Sequence, residues 1–361
     1  MSFDIAKKLY YVSLKTKTND LDKKHSQIVS GAKELKFSQI LKNFRNWELQ
    51  SDSGIPFQVN FYNFKSFGVL RYLKFLASKM FKFLKYGCDE VDYFFDDISI
   101  IKLLGGFDIL EKCPVHMTPG KNLAYFFNKK ISGNVRWLRY IYFVSVIRNF
   151  FKDKKEPELI LDLGSFYGGF QYVMKKIFPN CAQILVDFPH QLSRSAIFLK
   201  RSFPQSSIFA IYDDKTFDLF FDLDKETKFE FILLSTDFYE KFSNKFTENN
   251  QRIDLFTNFY SLGEMPNKYF KSYLKSNILK NSNYIYFCNR YDSSPFYEKT
   301  FDESFSILDY LLNDFKVKLN RSSGIHSYMM PIRGLFGIKK QRPISSGYFE
   351  LIQQNNKLNN N

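Results

Sequence analysis

ELILDLGSFYGGFQYVMKKIFPNCAQILVDFP, running from Glu158 to Pro189, is the stretch whose reading decides the fold. Leu159, Ile160, Leu161 and Leu163 form an apolar run broken only by Asp162, and so short a run ending in glycine suits a parallel strand buried on both faces. Gly164, Gly168 and Gly169 follow at once and let the backbone take positive φ and pass close to a ligand. Phe170, Val173, Met174 and Ile177 then recur at helical spacing, which predicts a helix packed on the sheet with its N-terminus aimed at the turn. Pro179 and Asn180 stop that helix, and residues 182 to 186 read as a second strand with Asp187 at its carboxyl end. An acid in that place accepts hydrogen bonds from ribose hydroxyls. Strand, glycine turn, helix, strand is the first half of a Rossmann-like nucleotide-binding sheet.

The turn is not the dinucleotide fingerprint. Counted from Gly164, the GxGxxG pattern is met at Gly169, but Phe166 replaces its middle glycine. The pattern present is DxGxxxGG, which resembles motif I of class I S-adenosylmethionine-dependent methyltransferases. Taken alone it is a weak pattern, which an ordinary strand-turn-helix of another α/β protein also satisfies.

The rest of the chain bounds the answer. Its 361 residues suffice for one large α/β domain and a smaller companion. With 43 Phe and 23 Tyr against 2 Trp, the aromatic usage is read as codon bias rather than function. A net charge of +15 favours anionic partners such as nucleotide sugars, nucleic acid or an anionic membrane surface. Cys88, Cys113, Cys181 and Cys288 stand far apart without a CxxC, which points to neither a zinc site nor a disulfide framework and fits a reducing cytoplasm. Charges interrupt every candidate apolar core near the start, so no signal peptide is expected, and the uncharged run from Tyr140 to Ile147 is too short to span a bilayer.

Residues 1–134 read as a mainly helical N-terminal region, 135–350 as the Rossmann-like domain, and 351–361 as a disordered polar tail. Between Val69 and Leu84 the spacing predicts a basic amphipathic helix, whose Lys face either contacts anionic lipid or is simply solvated. The acidic run from Asp89 to Asp97 reads as the start of a helix towards Leu104. Residues 135–151 are apolar on nearly every side and are expected to pack on the sheet. After a helix over 191–203 come a short β-like run at 208–211 and the segment FDLFFDL (217–223), read as a strand or an aromatic hairpin. Residues 229–235 supply the third strand, 253–257 the fourth and 284–289 the fifth, with 315–319 and 347–353 as a final antiparallel pair. The fourth runs into NFYSLGEM, which places Asn258, Ser261 and Glu264 where side chains face the ligand crevice.

LDLGSFYGGF, FPNCAQILVDFPHQL and NFYSLGEM together resemble the bacterial sugar O-methyltransferases, a class I methyltransferase family, over about residues 135 to 350. The last motif, Asn-x-x-Ser-x-x-Glu-Met, is the specific one. Phe166 is a departure, since glycine is common there. The resemblance implies a Rossmann-like class I methyltransferase sheet with helices on both faces, and methyl transfer from S-adenosylmethionine to a sugar hydroxyl during assembly of a surface polysaccharide. It assigns Asp162, Gly164, Gly168 and Gly169 to the methionine part of the cofactor and Asp187 to its ribose, and turns Asn258 and Glu264 to the transfer site.

The reaction asks for a base to take the acceptor's proton. Glu264 and His326 are the first candidates, with His190 and Asp237 behind them; as the plainer alternatives, Glu264 orients the next helix and His326 is a loop residue. No metal is expected. The acceptor is expected to be a nucleotide-linked or lipid-linked glycan, met in the cytoplasm or at the inner face of the membrane, with no specific nucleic acid. Two other readings stand beside this one: an RNA methyltransferase, and a non-catalytic protein that binds a glycan or membrane surface.

Overall fold

The computed structural model describes residues 3–15, 37–42, 90–114, 123–127, 129–133, 135–224, 227–293, 305–325, 328–333, 339–344 and 347–358. The helix expected between Val69 and Leu84, Cys88 and the candidate base His326 lie outside these residues. The chain forms two units, one of residues 1–44, 153–323 and 347–361, the other of residues 45–152 and 324–346.

The first unit carries α1 (Asp4–Lys15), β1 (Leu159–Leu163), α2 (Gly169–Ile177), β2 (Ala182–Asp187), α3 (Pro189–Ser202), β3 (Ile208–Ile211), α4 (Asp214–Asp222), β4 (Phe231–Ser235) and α5 (Tyr239–Glu248). It continues with β5 (Leu255–Phe259), α6 (Asn267–Lys275), α7 (Asn277–Lys280), β6 (Tyr284–Arg290), β7 (Phe315–Ser322) and β8 (Tyr348–Asn355). Its eight-stranded sheet has the order β7-β8-β6-β5-β1-β2-β4-β3. The strands from β3 to β6 pair in parallel, and β8 runs antiparallel to both β6 and β7. This is the Rossmann-like sheet expected, with helices on both faces. The order turns back at β1, so the carboxyl ends of β1, β2 and β5 meet where α/β sheets hold their ligands.

Burial explains the strands. Ile160, Leu161, Ile184, Leu185, Val186, Leu233 and Leu234 are each at most 1% exposed, as a parallel sheet covered on both faces requires. The same core absorbs the aromatics: Phe242 packs against Phe220 and Phe221, and Phe287 against Tyr310.

Residues 217–222 are helical, neither strand nor hairpin. Asp213 caps α4: its Oδ1 accepts from the Thr216 N–H at 2.7 Å, and Thr216 Oγ1 accepts from the Asp213 N–H at 3.1 Å. With the start fixed, Phe217 and Phe221 stand a turn apart and face each other at 4.9 Å.

The chain's end also departs from the composition reading. β8 runs through Asn355, and a short turn continues to Leu358. Gln353 accepts from the Leu312 N–H and donates to the Tyr310 carbonyl, while Asn355 donates to the carbonyls of Lys280 and Ser282. These amides are buried fillers of backbone valences, a use that residue type alone does not reveal.

In the second unit, Val135–Phe151 packs with the helices Glu90–Leu103 and Phe107–Lys112 and with the hairpin Leu123–Phe127 with Lys129–Gly133, and a second hairpin pairs Tyr328–Arg333 with Lys339–Ile344. The acidic run expected to open a helix does so from Glu90. Trp137 is fully buried and donates its indole N–H to the Cys113 carbonyl at 2.9 Å, and Arg148 grips Asp108 at 2.7 Å. Among the described residues no helix is long and apolar enough to cross a membrane.

Candidate active site

The turn after β1 is left-handed at three residues: Gly164 (φ 82°), Phe166 (φ 54°) and Gly168 (φ 89°). Phe166 therefore takes the backbone shape that glycine would have taken freely, at a cost of about 1 to 2 kcal/mol for an L-residue. Its peptide is held from both sides. The Phe166 N–H donates to Asp187 Oδ2 at 2.6 Å, and its carbonyl accepts from Ser195 Oγ at 2.7 Å. The other Asp187 oxygen accepts the Phe188 N–H at 2.8 Å. Acid and turn thus face each other at the mouth of the sheet, and Asp187 is 8% exposed.

Asp162 sits differently. It is 4% exposed, with Oδ2 accepting from Gln171 Nε2 at 2.6 Å and Oδ1 from Thr257 Oγ1 at 2.7 Å. Burial pushes its carboxyl up to about 6, against the pull of those two donors. Its oxygens tie α2 and β5 to β1 from inside.

NFYSLGEM is a lock beneath the turn. Asn258 is fully buried, and its Nδ2 donates to the Leu163 carbonyl at 2.6 Å and to Ser261 Oγ at 2.5 Å. Its Oδ1 accepts from the Leu262 N–H at 3.1 Å and from Asn289 Nδ2 at 2.9 Å, and Asn289 Oδ1 accepts from the Gly263 N–H. Ser261 lies so close over Gly164 that a Cβ there would overlap its Oγ and Cβ. Asn289, on a different strand, was invisible in the sequence as part of this lock.

Glu264 ends the same motif at the surface, 40% exposed, with Oε1 at 3.4 Å from Arg290 Nη2. Arg290 Nε donates to the Tyr348 hydroxyl at 3.2 Å, and Tyr348 packs edge-on against Tyr260, itself at φ 68°. Arg290 and Asp187 lie at the carboxyl ends of strands three places apart, about 14 Å at ordinary sheet spacing. His190 stacks on Phe188 at 5.7 Å, and Asp237 is exposed in the turn after β4. Across from them Tyr273 of α6 meets Tyr239 at 4.8 Å, and burial, then the nearby Tyr239, Asp187 and Asp237, push its phenol upward.

Two polar groups that sequence reasoning did not single out flank the mouth. Ser165 Oγ, in the turn, and Ser235 Oγ, whose strand position pairs with Asp187, are both buried and have no partner among the described residues. Buried hydroxyls in that condition suit a polar ligand. A carboxylate at the mouth, a left-handed turn and two unsatisfied hydroxyls are groups that suit a nucleoside. Among the described residues no cluster of His, Cys, Asp and Glu suits a metal ion.

No family model matches the chain, and no curated protein matches it. Solved structures do. An S-adenosylmethionine-dependent methyltransferase of Anabaena variabilis shares 12% identity over 70% of this chain and 95% of its own, with a TM-score of 0.36. A family 2 O-methyltransferase of Planctomyces limnophilus, solved with apigenin, shares 10% identity over 56% of this chain and 50% of its own, with a TM-score of 0.31. TrmN of Thermus thermophilus shares 7% over 60% and 48%, with a TM-score of 0.32. Likenesses this distant say nothing of this chain's substrate. The sheet itself gives the architecture: a Rossmann-like α/β fold in which the carboxyl ends of β1, β2 and β5 come together.

Proposed function

We propose that this protein is an S-adenosylmethionine-dependent O-methyltransferase acting on a sugar hydroxyl in the assembly of a surface glycan. The observation that carries the reading is the 2.6 Å hydrogen bond from the Phe166 N–H to Asp187. It sets a carboxylate against a left-handed turn, as a ribose site needs. When bound, the sulfonium supplies an activated methyl group.

The chain's own residues supply the rest. Asp187 accepts from the ribose hydroxyls, and Ser165 and Ser235 find partners in the same ligand. Gly164, Gly168 and Gly169 shape the turn at the methionine end, while Asp162 and Asn258 hold that shape from below. The acceptor hydroxyl is a poor nucleophile while neutral and must lose a proton as the new bond forms. Glu264 takes that proton, with Arg290 fixing its direction; His326 is the other candidate. The acceptor is a nucleotide-linked or lipid-linked sugar, met in the cytoplasm or at the inner membrane face.

Transfer of labelled methyl from S-adenosylmethionine to nucleotide sugars and to lipid-linked glycan tests this. Labelled sugar that disappears in Glu264→Gln is the expected result. Label in RNA alone would replace the acceptor, and the charge of +15 makes RNA the second reading.

A further inference from the structure

The crevice is not the only shaped surface of the first unit. A cavity of about 330 Å³ opens where α6, α7 and the start of β7 meet, with Phe270, Leu274, Leu312 and Phe315 as its apolar lining. Lys271, Lys275 and Lys280 ring it and are exposed. Both acids at its edge are engaged elsewhere: Asp309 accepts the Ser306 N–H at 2.7 Å, and Asp314 pairs with Lys357 at 3.0 Å. Leu311, also in the lining, is 40% exposed, and Leu308, next to the lining residue Asp309, is 70% exposed. Lys280 precedes the amino end of β6 while Arg290 closes its carboxyl end, so the cavity and the crevice lie about 20 Å apart at ordinary strand rise.

We propose that this corner docks on an anionic phospholipid surface, with a phosphate headgroup among the three lysines and Leu308 and Leu311 in the interfacial layer. The charge sign selects an anionic headgroup. A soluble phosphate would answer the lysines alone and leave Leu308 in water, whereas a lipid surface takes both the charge and the leucines. The proposal is independent of the methyl-transfer reading, since none of these residues belongs to the crevice.

Co-sedimentation of the full chain with vesicles tests it. Binding is expected to phosphatidylcholine mixed with phosphatidylglycerol and not to phosphatidylcholine alone, and to weaken as salt rises. Leu308→Asp with Leu311→Asp should weaken it more than about tenfold. Replacing Lys271, Lys275 and Lys280 by Gln should weaken it and flatten its salt dependence. All five side chains are exposed, so thermal melting should match the parent chain. Unchanged vesicle binding in the leucine variant overturns the proposal, as does equal binding to neutral vesicles or no binding to anionic ones. Displacement of the vesicles by millimolar glycerol phosphate would make this a soluble-anion site instead. A shift in oligomeric state in the leucine variant, with vesicle binding intact, would make it a contact between copies.

Discussion

Asp162 and Asp187 stand on neighbouring strands and look alike in sequence, yet they face opposite problems. Asp162 is sealed inside, bonded to two side chains, and holds its proton up to about 6. Asp187 is at the carboxyl end of its strand, its oxygens accepting from the Phe166 and Phe188 N–H groups. The same division runs through NFYSLGEM, where Asn258 is buried and Glu264 is 40% exposed. Floor residues such as Asn258 hold the turn from beneath, and rim residues such as Glu264 reach the surface. Variants of the floor should alter stability, and variants of the rim should cost binding or turnover.

The largest loss of stability is expected from Gly164→Ala. It adds a Cβ at φ 82° against Ser261, combining backbone strain of about 1 to 2 kcal/mol with overpacking of about 1 to 3. Urea unfolding measures it, and Ser261→Gly in the same chain should recover the overpacking share but not the strain. Asp162→Asn should change how stability depends on pH rather than lower it at neutral pH. The folded carboxyl binds its proton more tightly than the unfolded one, so its contribution to stability is whole below about pH 4 and lost as pH rises through about 6, some 3 kcal/mol in all. Asparagine, which can accept from Gln171 and donate to Thr257 Oγ1, should abolish that slope; a slope surviving in the variant would assign it to another group.

Asn258→Ala strands the Leu262 N–H and Asn289 Nδ2, leaves the Leu163 carbonyl only its 3.2 Å bond from Ser261, and should cost about 2 kcal/mol in the same urea experiment. A loss under about 0.5 would dissolve the distinction between floor and rim. The smallest change in stability belongs to Glu264→Gln. Its ion pair with Arg290 is half in water and contributes less than about 1 kcal/mol, so the melting temperature should hardly move while methyl transfer falls.

Much of this was legible in the sequence, unevenly. The parallel strands were clear because burial on both faces leaves near-continuous apolar runs, as in Leu159–Leu163. α4 was missed because FDLFFDL suits both strand and helix, and what decided it was the cap upstream at Asp213 and Thr216. The polar tail was read as disordered on composition, although Gln353 and Asn355 spend their amides on buried backbone groups. Phe166 marks a different limit. Its glycine-like backbone is held by Asp187 and Ser195, each more than twenty residues away, and no local pattern encodes such a partnership. What separates Asp162 from Asp187 is their partners, side chains of α2 and β5 in one case and backbone N–H groups in the other, and these likewise have no signature in spacing.

Calorimetric titration of S-adenosylmethionine into the parent chain, Asp187→Ala and Asp162→Asn tests the account most directly. Charge-assisted bonds to the ribose contribute about 1.5 to 3 kcal/mol each. The parent should bind, Asp187→Ala should bind at least about thirtyfold more weakly, and Asp162→Asn should stay within about threefold of the parent. Equal losses in the two variants, or a parent chain that takes up no S-adenosylmethionine, would contradict it.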